Sequence, residues 1–277
     1  MKRTGMILAA VALAGSSAVA LNPSKEYAVT PDEYGIEYEE VKLPTSDGLT
    51  LNGWWFKPAT ESTKCIIISD DGDGNMADNL ELISQFITME YHVLAYDYRG
   101  YGKSDEFEIK EKFFIYHQFS KDLEAAIGYV KKYHAKLYTV DLYGKGIGAG
   151  LSIGVGANNT KIKRVVADGT YVSFQKYKDR VREKEGKEVM LPIGYNKYIM
   201  EPEYALEEKG QHLRGILFIV GQNESITGPD DVKALAKLKK KESVVYEVEG
   251  ATNKQTFTSN KSAYFDQVKD FLEKYTK

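Results

Sequence analysis

Two segments of the chain hold residues whose types and spacing could do chemistry. An apolar run from Leu137 to Tyr143 leads into Gly144-Lys145-Gly146-Ile147-Gly148-Ala149-Gly150. A glycine-rich turn between a strand and a helix can cradle phosphate with backbone N–H groups, but this spacing fits neither nucleotide-binding fingerprint. The segment Ser69-Asp70-Asp71-Gly72-Asp73-Gly74-Asn75 gathers three carboxylates. Asp71, Asp73 and Asn75 alternate as in a calcium loop, yet Met76 and Leu82 stand where that loop needs glycine and glutamate. A looser cation site, or plain turn formation and capping of the helix that follows, stays open. The histidines are only His92, His117, His134 and His212, and Cys65 is the single cysteine. No disulfide framework and no Cys-rich zinc module can be built from that set, and no cofactor is implied.

The elements that must position these residues read clearly. Ile36 to Leu43 and Leu49 to Phe56 flank Thr45-Ser46-Asp47-Gly48 and predict a hairpin. Apolar, β-branched runs follow at 65–69, 92–96, 137–143, 162–167, 216–220 and 244–248, the pattern of strands buried on both faces. Helical periodicity covers 77–89, 113–133, 230–240 and 263–275. This alternation predicts an α/β fold with a mostly parallel sheet of about eight strands flanked by helices. Residues 171–213 break the rhythm with Lys and Glu runs and aromatic residues, and read as a helical cap over the carboxyl ends of the strands, where ligands bind in such sheets.

The chain has 277 residues, 37 Lys plus Arg against 40 Asp plus Glu, and a net charge of −3. With no positive excess to hold a phosphate backbone, nucleic acid is excluded as an expected partner. Lys2 and Arg3 precede an apolar run, Met6 to Gly15, and Ala18-Val19-Ala20 supplies a small-residue cleavage pattern. Residues 1–20 are therefore expected to be a signal peptide cleaved after Ala20, leaving 21–277 as one exported domain, periplasmic or secreted, without a stable membrane span. An uncleaved N-terminal anchor is the alternative.

Three segments in this order carry a family resemblance: Ser46-Asp47-Gly48-Leu49-Thr50-Leu51-Asn52-Gly53-Trp54, Tyr96-Asp97-Tyr98-Arg99-Gly100-Tyr101-Gly102-Lys103-Ser104, and Leu142-Tyr143-Gly144-Lys145-Gly146-Ile147-Gly148. From about Glu39 onward the chain resembles the α/β-hydrolases of the serine-aminopeptidase and monoacylglycerol-lipase type. The resemblance implies a nucleophile elbow, an acid on the loop after the next-to-last strand and a histidine on the loop after the last. Gly146 stands at the nucleophile position, Glu224 at the acid and Asn253 at the histidine. A glycine offers no nucleophilic atom, and an asparagine has no titratable nitrogen to relay a proton. Lys145 or Ser152 could substitute only if activated, and the sequence shows no device for that. The oxyanion region implied by the family falls at Gly72, Asp73 and the N–H of Ile147, with Asp70, Asp71 and Asp73 placed to oppose a developing negative charge. The expected function is that of a degenerate hydrolase binding a small molecule or a protein partner in a pocket that Asp71 and Tyr171 would line, with Tyr177, Tyr195 and Tyr198 as further candidates. An active hydrolase of esters or peptides, using Glu224 or the Asp70 to Asp73 group directly or through a metal, is the runner-up.

Overall fold

The computed structural model describes residues 21–137, 139–239 and 242–275, so the expected signal peptide lies outside the described residues. Eight strands form the main sheet: β1 (Glu39–Pro44), β2 (Thr50–Phe56), β3 (Lys64–Ser69), β4 (His92–Tyr96), β5 (Thr139–Lys145), β6 (Ile162–Asp168), β7 (Gly215–Gly221) and β8 (Ser243–Val248). Their order across the sheet is β1-β2-β4-β3-β5-β6-β7-β8. Only β2 runs against its neighbours, pairing antiparallel with β1 and β4, and every other pair is parallel. The hairpin, the parallel core and the strand count agree with the pattern read from the sequence.

Helices α1 (Leu80–Thr88), α2 (Phe119–Tyr133), α3 (Ile147–Asn158), α7 (Pro229–Leu238) and α9 (Lys261–Lys274) cover the sheet, with the short α8 (Thr256–Ser259) leading into α9. Two apolar cores result, one on each face: Leu94, Leu142, Ile153 and Phe218 belong to one, and Phe86, Val93, Val166 and Val268 to the other. Buried ion pairs pin the framework. Arg99 joins Asp47 of the hairpin turn at 2.9 Å to Asp122 of α2 at 2.6 Å, and Arg164 of β6 meets Asp141 of β5 at 2.5 Å.

Three boundaries differ from expectation by three residues or more: β1 begins at Glu39 rather than Ile36, α1 at Leu80 rather than 77, after a 3-10 turn over Met76–Asn79, and α2 at Phe119 rather than 113. The aromatic run Phe113-Phe114-Ile115-Tyr116 leaves the helix because its backbone is taken by the cap: Phe114 N–H donates to Met190 O at 2.9 Å and Met190 N–H to Lys112 O at 2.8 Å. Residues 171–213 hold α4 (Phe174–Glu185), α5 (Lys197–Met200) and α6 (Pro202–Glu208), with no strand of the main sheet among them. α5 and α6 sit hard on α3, with Tyr171 beside them, because α3 is stripped of side chains at the contact. A β-carbon on Gly150 would meet the Tyr171 ring at 2.1 Å, and one on Gly154 would meet Ile199 O at 1.8 Å. Among the described residues no helix is long and apolar enough to cross a membrane.

Candidate functional site

β5 ends at Lys145 and α3 begins at Ile147, so Gly146 alone turns the chain. Its φ of 53° and ψ of −116° require the left-handed half of backbone space, which glycine enters without cost. Neighbouring backbone enforces the small residues around it: a β-carbon on Gly144 would meet Gly148 O at 2.1 Å, and one on Gly148 would meet Ser69 O at 2.3 Å. Gly146 N–H donates to Asp168 O at 2.8 Å, which ties the apex to β6. The geometry is that of a strand-to-helix elbow whose apex carries no functional group. A β-carbon at residue 146 would lie 2.8 Å from the β-carbon of Asp71.

The loops after β7 and β8 meet beside this apex. Asn253 Oδ1 accepts a hydrogen bond from Gly221 N–H at 2.9 Å, and Asn253 N–H donates to Glu224 Oε2 at 3.1 Å. Glu224 Oε1 accepts from the N–H groups of Ser225 and Ile226 at 3.0 and 2.9 Å. The carboxylate thus fastens two loops through their backbone, in the place where a triad acid would orient an imidazole.

Lys145 Nζ meets Asp71 Oδ2 at 2.9 Å, directly above the elbow. Burial works against the lysine charge, but the Asp71 and Asp70 carboxylates outweigh it and hold the ammonium above the ordinary lysine range. Burial likewise opposes the Asp71 charge, and the Lys145 ammonium overcomes it and keeps Asp71 ionised below the usual carboxylate range. A lysine so paired is not an activated nucleophile. Burial, reinforced by Asp71, pushes Asp70 well above that range, and its carboxyl group takes the N–H of Gly72 and the side-chain amide of Asn79.

Asp71, Lys145, Gly146, Ile147, Glu224 and Asn253 face one cavity of ≈ 50 Å³. Tyr171, Phe114 and Tyr177 close it from the cap side, the last two stacked at 3.8 Å. One water occupies about 10–15 Å³ on this measure, so the space admits a few waters or an equally small solute, far below the ~300–1,000 Å³ of typical ligand pockets.

The same architecture recurs in solved structures. The Pyrococcus furiosus esterase Pf2001 superposes with a TM-score of 0.72 at 18% identity, covering 93% of this chain and 99% of that one. The α/β-hydrolase GrgF from a Penicillium species gives 0.64 at 18% identity over 87% and 99%. In sequence, residues 66–197 match the family described as "Serine aminopeptidase, S33". The alpha/beta hydrolase domain-containing protein WAV2 of Arabidopsis thaliana is 24% identical over 91% of this chain and 84% of its own length. The chain has the α/β-hydrolase fold. The protein bem46 of Schizosaccharomyces pombe is 27% identical over 55% of the chain, an alignment that spans half of that relative.

Within this α/β-hydrolase fold, the expected oxyanion region needs correction. Ile147 lines the cavity, but Gly72 does not: Leu21 and Ile147 pack over it, each 2.8 Å from where a β-carbon would stand. Asp73 is turned outward, its carboxylate accepting from Asn22 Nδ2 at 2.9 Å. Of the three carboxylates expected to oppose an oxyanion, only Asp71 reaches the cavity, and Lys145 neutralises it. Asn75 caps the following helical turn through Ala77 N–H at 3.0 Å. Among the described residues no three His, Cys, Asp or Glu side chains come together as a metal site.

Tyr171 and Tyr177 line the cavity, whereas Tyr195 turns to Glu201 at 2.8 Å and Tyr198 is exposed. His212 bonds the end of α3 through Gly156 O and Asn159 O, both at 3.0 Å, and His92 and His134 stack on Trp55 far from the elbow. Ser152 is buried within α3.

Sequence reasoning missed Asp168. This carboxylate at the end of β6 accepts from Thr256 Oγ1 at 2.8 Å, Tyr264 OH at 2.9 Å and Tyr143 OH at 3.4 Å, and burial raises its pKa to about 6. An acid at the carboxyl end of a buried strand was the available signal.

Proposed function

We propose that this protein is an exported, non-catalytic α/β-hydrolase whose elbow cavity holds a very small polar solute. The observation that carries the reading is the apex itself: Gly146 supplies no nucleophile, and the β-carbon of Asp71 crowds the place where one would begin. Asn253 spends its side-chain oxygen on Gly221 N–H, so the residue at the histidine position acts as a loop tie. The first N–H groups of α3, which have no partner within the helix, offer donors at the Ile147 edge of the cavity, and with Lys145 already paired to Asp71 the lining suits a very small polar solute such as formate or acetate. Esterase activity belongs to the Pyrococcus neighbour, and here no paired nucleophile and base support it.

The test uses the purified protein from the extracytoplasmic fraction. It should show no saturable turnover of p-nitrophenyl esters or aminoacyl substrates, with or without divalent cation, and its thermal transition should rise in formate or acetate but not in octanoate. Saturable turnover abolished by Glu224→Gln or Asp71→Asn would sink the proposal. Mass spectrometry of the exported chain should find Leu21 as its first residue.

A further inference from the structure

The N-terminal arm is woven into the wall behind the elbow. Leu21 is fully buried and packs with Ile147 over Gly72. Asn22–Pro23 pairs in parallel with Asp73–Gly74. Asn22 N–H donates to Gly72 O and Ser24 N–H to Gly74 O, both at 2.9 Å. Gly102 N–H reaches Ser24 O at 2.9 Å, and Asn75 Nδ2 reaches Glu26 O at 2.8 Å. Chain termini ordinarily fray unless they are tied down. This arm is tied at nearly every residue, and its most buried member is the one that follows the expected cleavage point.

In a parallel bridge, stepping back from Asn22 runs alongside stepping back from Asp73. The backbone nitrogen of Leu21, within one residue's rise of about 3.3 Å from Asn22, therefore lies at the Asp71–Gly72 end of the bridge. In an unprocessed chain that nitrogen is a neutral amide. Signal-peptidase hydrolysis adds water across the Ala20–Leu21 amide: the C–N bond breaks, the leader departs with the new carboxylate, and Leu21 keeps the nitrogen, which takes up a proton.

We propose that leader removal builds an ionic contact into the site, the α-ammonium of Leu21 joining the Asp71 carboxylate while the Leu21 side chain locks behind Ile147. This rests on the processing after Ala20 proposed above. Asp71 meets Lys145 Nζ at 2.9 Å and accepts from Asp73 N–H at 3.1 Å, Asp70 and Asp73 are engaged by Asn79 and Asn22, and Glu224 and Lys254 complete the charged side chains on the cavity. α3 presents apolar Ile147 and no charged residue in its first turn. Tyr98 and Tyr101 face the loop with hydroxyl groups that donate to Asp70 O at 3.1 Å and Gly72 O at 3.0 Å. Maturation would thereby stiffen the 71–74 loop that seats Asp71 against the elbow.

The experiment uses a fusion whose protease leaves Leu21 as the first residue, so its outcome does not depend on how a cell processes the leader. A failure of the processing reading is seen separately, in the N-terminus of the exported protein. Trace acetylation with labelled acetic anhydride across pH, read by mass spectrometry at Leu21, gives the pKa of the α-amine. The expected value lies at least one unit above the ~8 of a free terminus, and Asp71→Asn returns it there. A Gly-Ser extension ahead of Leu21 should speed amide exchange at Asp73 and Gly74 about tenfold. An α-amine that titrates at its ordinary value overturns the proposal, as does a raised value that survives Asp71→Asn. Should Asp71→Asn fail to fold, Asp71→Asn/Lys145→Met removes both charges and carries the same comparison.

Discussion

The β-carbon of Asp71 stands 2.8 Å from the point where a side chain on Gly146 would begin. Restoring a serine at the apex therefore meets backbone strain and a steric clash together. Gly146→Ser should lower unfolding free energy by about 1–3 kcal/mol, measured by urea denaturation. Gly146→Ser/Asn253→His should remain inactive towards p-nitrophenyl acetate, and turnover should emerge only when Asp71→Gly is added. Activity in the double variant would show that Asp71 is no obstacle.

Glu224 binds three backbone N–H groups, those of Ser225, Ile226 and Asn253. Glu224→Gln keeps the shape but loses the charge assistance, at a cost of about 1–3 kcal/mol. Hydrogen exchange should speed up at Asn253 and Ile226 while β5 stays protected. Unchanged exchange at both positions would refute the anchoring role.

Trp55 lies against two imidazole rings, His134 at 4.0 Å and His92 at 5.3 Å between centroids. Burial holds both histidines below the ordinary imidazole pKa. A group whose folded pKa is depressed favours folding while neutral, so this contribution is complete above about pH 6.5 and declines as pH falls through the folded values. Stability should therefore drop below pH 6.5 with a parallel change in Trp55 fluorescence. His92→Gln/His134→Gln should flatten that part of the pH profile, and an unaltered profile would exclude the pair as its source.

Asp168 shifts in the opposite direction. Burial raises its pKa to about 6, so its protonated form favours the fold. The contribution is complete below the unfolded value near 4 and is lost as pH rises through about 6. Relative to Asp168→Asn, the natural protein should gain up to about 3 kcal/mol between pH 7 and pH 4. A stability difference independent of pH would contradict this assignment.

The β-branched runs revealed the strands because parallel strands buried on both faces admit few polar residues. Gly144, Gly146 and Gly148 were legible for a related reason, since only glycine fits where backbone atoms approach so closely. Long-range pairings were not legible. Asp168 gains its meaning from Thr256, 88 residues away, and from Tyr264, 96 residues away. The outward turn of Asp73 depends on Asn22, in an arm that no local pattern ties to the oxyanion loop. Likewise the helical spacing of Phe113 to Phe119 conceals that Phe114 is pulled out of register by the cap.

Gly150 and Gly154 let Tyr171 and the backbone at Ile199 rest directly on α3. Cap and elbow helix are in consequence a single mechanical unit: prising them apart would strip the full length of a close-packed seam. A side chain at residue 150 or 154 would therefore shift the cap away from the elbow.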